Sequence, residues 1–118
     1  MATLKSRQVG SIAILAPKGY LMGGDETDEL EKAIQRLSEE GNKNLIINLS
    51  ETQHLNSTAL GALIRARDGY VRRGGQMKLA ALDKHIENIF VITKLSLVFD
   101  VMTTEEQAIA SFADGGNS

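Results

Sequence analysis

A polar segment in the middle of the chain carries the hydroxyl groups that are best placed for chemistry. It extends from Ser50 to Thr58, between the apolar run Asn44–Leu49 and a helical pattern that begins near Ser57. We expect the apolar run to be a central strand covered on both faces, so that the polar segment lies at its carboxyl end. A hydroxyl exposed there could accept a phosphoryl group and change a surface without disturbing the core.

The same residues have a simpler interpretation, which is helix capping. Asn56 or Ser57 can accept hydrogen bonds from the first N–H groups of the helix, which have no partner within the helix itself. Polar residues at helix starts do this in proteins of every function. Capping alone and modification of Ser57, or of its neighbour Thr58, therefore both stay open at this point.

The two histidines give little indication of catalysis or metal binding. His54 and His85 are far apart in the sequence and match no metal-ligand spacing such as HExxH. We predict that His54 lies in a loop before a helix and that His85 is exposed in the first turn of a later helix. Because the chain also lacks cysteine and any GxSxG turn, we expect no metal site and no catalytic residues.

Two pairs of adjacent glycines could belong to phosphate-binding loops, but their surroundings argue against it. Gly23-Gly24 and Gly74-Gly75 lack the lysine and hydroxyl residues of a P-loop and the spacing of a dinucleotide-binding turn. We expect both pairs to form turns and no cofactor to be bound.

Composition favours one soluble domain in the cytoplasm. The chain has 118 residues, of which 42% are hydrophobic, and no cysteine, so one core without disulfides is expected. A formal net charge of -2 argues against a nucleic-acid partner. No apolar run is long enough for a membrane span or a secretion signal, so we expect no membrane insertion.

Hydrophobic periodicity predicts the elements that position the polar segment. A hairpin is followed by alternating helices and strands, which favours right-handed crossovers. We predict an α/β fold with a mixed, mostly parallel sheet of about five strands, an N-terminal antiparallel hairpin and about four helices. The predicted strands are 4–9, 11–16, 44–49, 77–82 and 98–102, and the helices begin at Asp25, Ser57, Asp83 and after two overlapping capping boxes in Thr103–Gln107. The predicted domain covers 1–113 and is followed by a disordered tail over 114–118.

The polar segment and the helix after it resemble the STAS domain family, specifically its small bacterial anti-sigma factor antagonists. The family's signature D-S-[ST]-G-L-G stands here as Asn56-Ser57-Thr58-Ala59-Leu60-Gly61. Ser57 matches the phosphorylated serine, whereas Asn56 replaces the usual aspartate and Ala59 the usual glycine. The resemblance covers nearly the whole chain, since it also includes the glycine-rich entry to the first helix and the segments 72–75 and 93–108.

This resemblance implies a switch that is not an enzyme. The unphosphorylated protein would bind an anti-sigma factor with serine kinase activity and so free a sigma factor. That kinase would phosphorylate Ser57, or alternatively Thr58, and a metal-dependent serine phosphatase would restore the hydroxyl. The residues implied in partner binding are Asn56, Ser57, Thr58, Gly61, Gly23 and Gly24.

Two other functions stay open on the sequence. One is a scaffold or lipid-transport accessory subunit with the same fold in which Ser57 is never phosphorylated, and Asn56 motivates it. The other is a small-ligand or nucleotide-binding module, which the glycine positions do not specifically support. The sequence also predicts that Asn56→Asp leaves stability unchanged or raises it slightly, because a carboxylate is favourable at a helix N-terminus.

Overall fold

The computed structural model describes residues 4–115, which alternate between strands and helices after an opening hairpin. The strands are β1 (Leu4–Val9), β2 (Ile12–Pro17), β3 (Gly19–Leu21), β4 (Asn44–Asn48), β5 (Thr52–Leu55), β6 (Gln76–Ala80) and β7 (Asp100–Met102). The helices are α1 (Asp25–Glu39), α2 (Ser57–Arg72), α3 (Lys84–Ile92) and α4 (Glu105–Gly115), with a 3-10 helix at Leu95–Leu97.

The main sheet has five strands in the order β1-β2-β4-β6-β7. The β1-β2 pair is antiparallel, and the other neighbouring strands are parallel. Strand β4 lies at the centre, and its residues Leu45, Ile46 and Ile47 are completely buried because helices cover both faces. The mixed sheet, the N-terminal hairpin and the central strand predicted from the sequence are confirmed.

Two hydrophobic clusters lie on opposite faces of the main sheet. Alternate residues of β2, β4 and β6 contribute to a cluster with α1, α2 and α3, and the intervening residues to a cluster with α4. In the second cluster, Ile14 and Ile46 of the sheet pack with Phe112 of α4. Helix α2 therefore belongs to the face with three helices.

A second, small sheet forms outside the main one, and the sequence patterns did not reveal it. Strands β3 and β5 pair in parallel, with Tyr20 opposite His54 and Leu21 opposite Leu55. Each strand has only three or four residues, which is too short for a clear alternation of polar and apolar residues. The prediction that His54 lies in a loop is therefore wrong, because His54 is a strand residue. His85 is exposed in the first turn of α3, as predicted.

The end of the chain agrees with the sequence patterns in part. The Thr104 side chain accepts a hydrogen bond from the backbone N–H of Gln107 at 3.1 Å, which is the first of the two bonds of one predicted capping box before α4. The last strand, β7, begins later than predicted because a 3-10 helix precedes it. Helix α4 extends to Gly115, and residues 116–118 of the predicted tail lie outside the described residues.

A polar network holds the start of α4 against the sheet. Arg7 on β1 donates to both carboxylate oxygens of Glu105, with Nη1 3.0 Å from Oε1 and Nη2 bonded to Oε2. Asn48, at the end of β4, donates its Nδ2 to Glu105 Oε1 at 2.8 Å. The hydrogen bond from Arg7 is the largest cause that lowers the pKa of the Glu105 carboxyl, and it outweighs the opposing effect of burial.

We expect Glu105→Gln to lower stability at neutral pH and to matter progressively less in acid. A carboxyl whose pKa is lowered by folding contributes stability above its unfolded pKa of about 4.3, and this contribution is lost as the pH falls through the folded pKa. Melting temperatures of both proteins between about pH 7 and pH 3 measure the effect. Glu106→Gln is the control, since Glu106 is exposed in the same turn. A difference that stayed constant with pH would contradict this role of the network.

Candidate functional site

Asn56 caps helix α2, and it uses both ends of its side-chain amide. Its Oδ1 accepts a hydrogen bond from the backbone N–H of Ala59 at 3.0 Å. Its Nδ2 donates to the carbonyl of Met22 at 2.8 Å, and its backbone N–H donates to the carbonyl of Leu21 at 3.2 Å. Asn56 rather than Ser57 is therefore the N-cap, and it also ties the start of α2 to the segment that leaves β3.

Ser57 is the first residue of α2 and is exposed to solvent. Within the described part of the chain, its hydroxyl has no hydrogen-bond partner. The first turn of α2 contains no acidic residue, and the free N–H groups of a helix start carry a partial positive charge. The site therefore offers an unused hydroxyl at the positive end of a helix.

Thr58 packs against the glycine turn that precedes α1. Gly23 has a φ of +88°, and a Cβ added to it would lie 2.6 Å from Cγ2 of Thr58. The Gly23 N–H donates to the hydroxyl of Thr27 at 2.9 Å, which fixes the turn. Glycine is therefore required at position 23 both by its backbone conformation and by the close approach of Thr58. The next residue, Gly24, is the N-cap of α1 and provides no side-chain cap.

Gly61 lies one turn after Ser57 on the same face of α2. A Cβ at this position would meet only Nη1 of Arg65, at 3.6 Å, so the packing of the helix does not require glycine here. Because glycine has no side chain, no side chain projects from α2 one turn after Ser57. The structure thus brings the predicted residues together, with Gly24 next to Gly23 in the turn. We call the five residues that form or contact the start of α2 the α2 edge: Gly23, Asn56, Ser57, Thr58 and Gly61.

Sequence reasoning missed the residues that surround the α2 edge. Tyr20 and Met22 are 59% and 47% exposed, although both are large and largely apolar. His54 on β5 reaches His85 on α3, with Nδ1 and Nε2 2.9 Å apart. No spacing pattern connects these residues, because they come from three separate elements. Tyr20 lies opposite His54, and the Met22 carbonyl accepts from Asn56, so both exposed side chains belong to the segment that is joined to the α2 edge.

Residues 4–115 contain neither a cluster of metal ligands nor a helix that could cross a membrane. No group of three or more His, Asp or Glu side chains in that range could hold a metal ion. None of the helices formed by those residues is both long and apolar enough to cross a membrane. The groups that the α2 edge offers for chemistry are the hydroxyls of Ser57 and Thr58.

Known proteins resemble this chain in sequence family and in fold. The model of the STAS domain family matches residues 3–108. A Thermotoga maritima protein named as a candidate anti-sigma factor antagonist superposes with a TM-score of 0.84 at 18% identity, over 92% of each chain. A sulfate transporter family protein from Wolinella succinogenes has a TM-score of 0.82 at 16% identity, over 93% of this chain and 91% of its own.

Another structure that resembles the chain is that of the Bacillus cell fate determinant SpoIIAA in its phosphorylated form. Its TM-score is 0.72 at 16% identity, over 91% of this chain and 96% of its own. No curated protein sequence gives a significant match. At these identities, the structural matches establish the shared fold.

The contact between Asn56 and Met22 reverses the effect that the sequence predicts for Asn56→Asp. A carboxylate can still cap Ala59, but it has no proton to donate to the Met22 carbonyl and its oxygen would face that oxygen. We expect the free energy of unfolding to fall by about 0.5 to 1 kcal/mol, because this loss exceeds the gain of about 0.3 to 1 kcal/mol from a charge at a helix N-terminus. Urea denaturation at neutral pH measures the change.

The cap of α3 provides a matched control for this prediction. Asp83 accepts a hydrogen bond from the Ile86 N–H at 2.9 Å, and it needs no donor. Asp83→Asn should therefore also destabilise, by about 0.3 to 1 kcal/mol, because it only removes the favourable charge. An Asn56→Asp variant that is at least as stable as the wild type would show that the Met22 contact does not decide the residue at this cap.

Proposed function

The chain belongs to the STAS domain family, and we propose that it is an anti-sigma factor antagonist that works by partner switching. In its unphosphorylated form, the α2 edge binds an anti-sigma factor with serine kinase activity and so frees a sigma factor. Phosphorylation of Ser57 separates the two proteins. Structural neighbours named as anti-sigma factor antagonists support the proposal through their shared fold.

One observation carries the proposal, namely that Ser57 is available because Asn56 does the capping. If Ser57 were the cap, its hydroxyl would be occupied by the helix, and modification would cost part of the helix's stability. Here the cap acceptor is Oδ1 of Asn56, and Ser57 is exposed beside it. The simpler interpretation of the polar segment as capping alone therefore accounts for Asn56 and leaves Ser57 without a structural task.

The start of helix α2 favours a phosphate at Ser57. A phosphate adds about -1.5 to -2 charge near neutral pH, and the helix N-terminus stabilises negative charge. The first turn of α2 contains no acid that would repel it. We therefore expect the fold to persist, while a partner meets a charged group at the start of α2 in place of a small hydroxyl. Steric and electrostatic exclusion then releases the partner.

The proposed modification is a phosphoryl transfer from ATP held by the partner. The Ser57 Oγ forms a bond to the γ-phosphorus, and the bond from that phosphorus to the bridging oxygen of ADP breaks. The hydroxyl proton passes to a base of the kinase. A metal-dependent serine phosphatase later hydrolyses the ester with water. Because this chain supplies only the acceptor, we propose that it is a cytoplasmic binding protein without a cofactor or a catalytic residue.

A STAS scaffold or lipid-transport accessory subunit that is never phosphorylated is the second candidate, and Asn56 favours it. The family's signature places an acid beside the acceptor serine, whereas the amide of Asn56 is committed to Ala59 and Met22. A sulfate transporter family protein shares the fold, so this fold also occurs outside the antagonists. In this alternative, the α2 edge binds a partner that does not modify it.

Ser57→Ala tests the proposal directly. Because Asn56 is the cap, we expect the free energy of unfolding of the variant to lie within about 0.5 kcal/mol of the wild-type value. We also expect the variant to bind the anti-sigma factor as tightly as the wild type does. Addition of Mg-ATP should release the wild-type protein and leave the variant bound, as measured by calorimetry. Thr58→Ala is the matched control, since it removes the adjacent hydroxyl and keeps Ser57.

Mass spectrometry of the same mixtures separates the alternatives. The proposal requires phosphate on Ser57 of the wild type and of Thr58→Ala. Phosphate on Thr58 with Ser57 unmodified would show that the acceptor has been assigned to the wrong hydroxyl. A stable complex that contains no phosphate would support the scaffold. A folded Ser57→Ala protein that does not bind would contradict the proposed role of the unmodified surface.

A further inference from the structure

His54 and His85 form a hydrogen-bonded pair beside the α2 edge. Nδ1 of His54 and Nε2 of His85 are 2.9 Å apart. The ring centroids are 5.1 Å apart, and the ring planes differ by 20°. This centroid separation nearly equals the nitrogen separation plus the radii of both rings, so the bond lies in line with both imidazoles. A straight N–H···N bond of this length has favourable geometry.

The contact between the two nitrogens has room for one proton. When both rings are neutral, one imidazole donates and the other accepts. A further proton can bind to a nitrogen outside the contact, and the bond then becomes charge-assisted. The next proton must enter the contact itself, where it sets N–H against N–H between two positive rings. The pair is therefore compatible with at most one positive charge.

The pair connects two elements at a sensitive position. His54 lies on β5, two residues before the cap Asn56, and His85 lies in the first turn of α3. His85 is exposed and His54 is half-buried, so protons from solution can reach both rings. Separation of the rings removes this side-chain contact between α3 and β5, while Ile86 keeps α3 in the core. Leu55 and Asn56 directly follow His54.

The charged and titratable groups around the pair come from three directions. Strand β3 presents the Tyr20 phenol, whose ring centroid is 6.5 Å from that of His54. On α3, His85 has Lys84 and Glu87 as charged neighbours in sequence, while the Asp83 carboxylate caps Ile86. Before β5, Glu51 pairs with Lys5 at 3.4 Å. Within the residues that the structure describes, no carboxylate forms an ion pair with either imidazole.

We propose that His54 and His85 form a proton-operated latch, which keeps the α2 edge ordered until both rings are protonated and loosens it below that pH. Imidazole is the side chain whose charge normally changes between pH 5 and 8. The latch adds a proton input to the surface where we place the anti-sigma factor. Only this consequence for binding rests on the proposed function, since the latch itself is a property of the chain alone.

The latch is tested by NMR on the full chain without a partner. Imidazole ¹⁵N shifts between about pH 8 and pH 4.5 should show two coupled steps. Across the lower step, amide protection factors from Leu55 to Leu60 should fall about fivefold, which corresponds to the loss of one hydrogen bond. His85→Phe keeps a ring and removes the nitrogens, so we expect one His54 step and no pH dependence of protection.

Independent titration of the two rings would overturn the latch, especially if the His54 midpoint is unchanged in His85→Phe. Protection factors that stay constant in the wild type across the lower step would also overturn it. His85→Asn provides a second variant that retains polarity at this exposed position, and the latch requires it to behave as His85→Phe does. Failure of an anti-sigma factor to bind at any pH would count against the proposed function. The NMR experiment uses no partner, so it tests the latch separately.

Discussion

The side-chain amide of Asn56 is the contact on which the α2 edge depends. Its oxygen satisfies a free N–H of helix α2, and its nitrogen holds the carbonyl of Met22 in the segment that leaves β3. One residue thus closes the helix start and joins it to the glycine turn before α1. As a consequence, the hydroxyl of Ser57 is not needed for either task and is exposed at the positive end of the helix.

The α2 edge lies at the surface, apart from the contacts that hold the main sheet and α4 together. The five-stranded sheet is covered on both faces, and Glu105 fastens α4 to Arg7 and Asn48. The α2 edge instead adjoins the short two-stranded sheet of β3 and β5, which buries Leu21 and Leu55 in the core and exposes Tyr20. Ser57 and His85 are exposed, so changes there can alter a binding surface while the main core stays folded.

The sequence predicts the parts of the structure that local patterns determine. The apolar run at 44–49, the capping box at Thr104 and the helix that starts at Ser57 each carry their signal within a few residues. The pairing of β3 with β5 and the contact between His54 and His85 join short segments that are distant in sequence, and no local pattern contains them. The same limit explains why the choice of asparagine at position 56 is understood only from its contact with Met22.

The most direct measurement of the central claim compares two forms of the protein, one unmodified and one with phosphoserine incorporated at position 57. Calorimetry gives the affinity of each form for the anti-sigma factor, and circular dichroism shows that both are folded. We predict that phosphorylation weakens binding by at least about tenfold, or about 1.4 kcal/mol, without loss of structure. Equal affinity of the two folded forms would contradict the claim that Ser57 controls this surface.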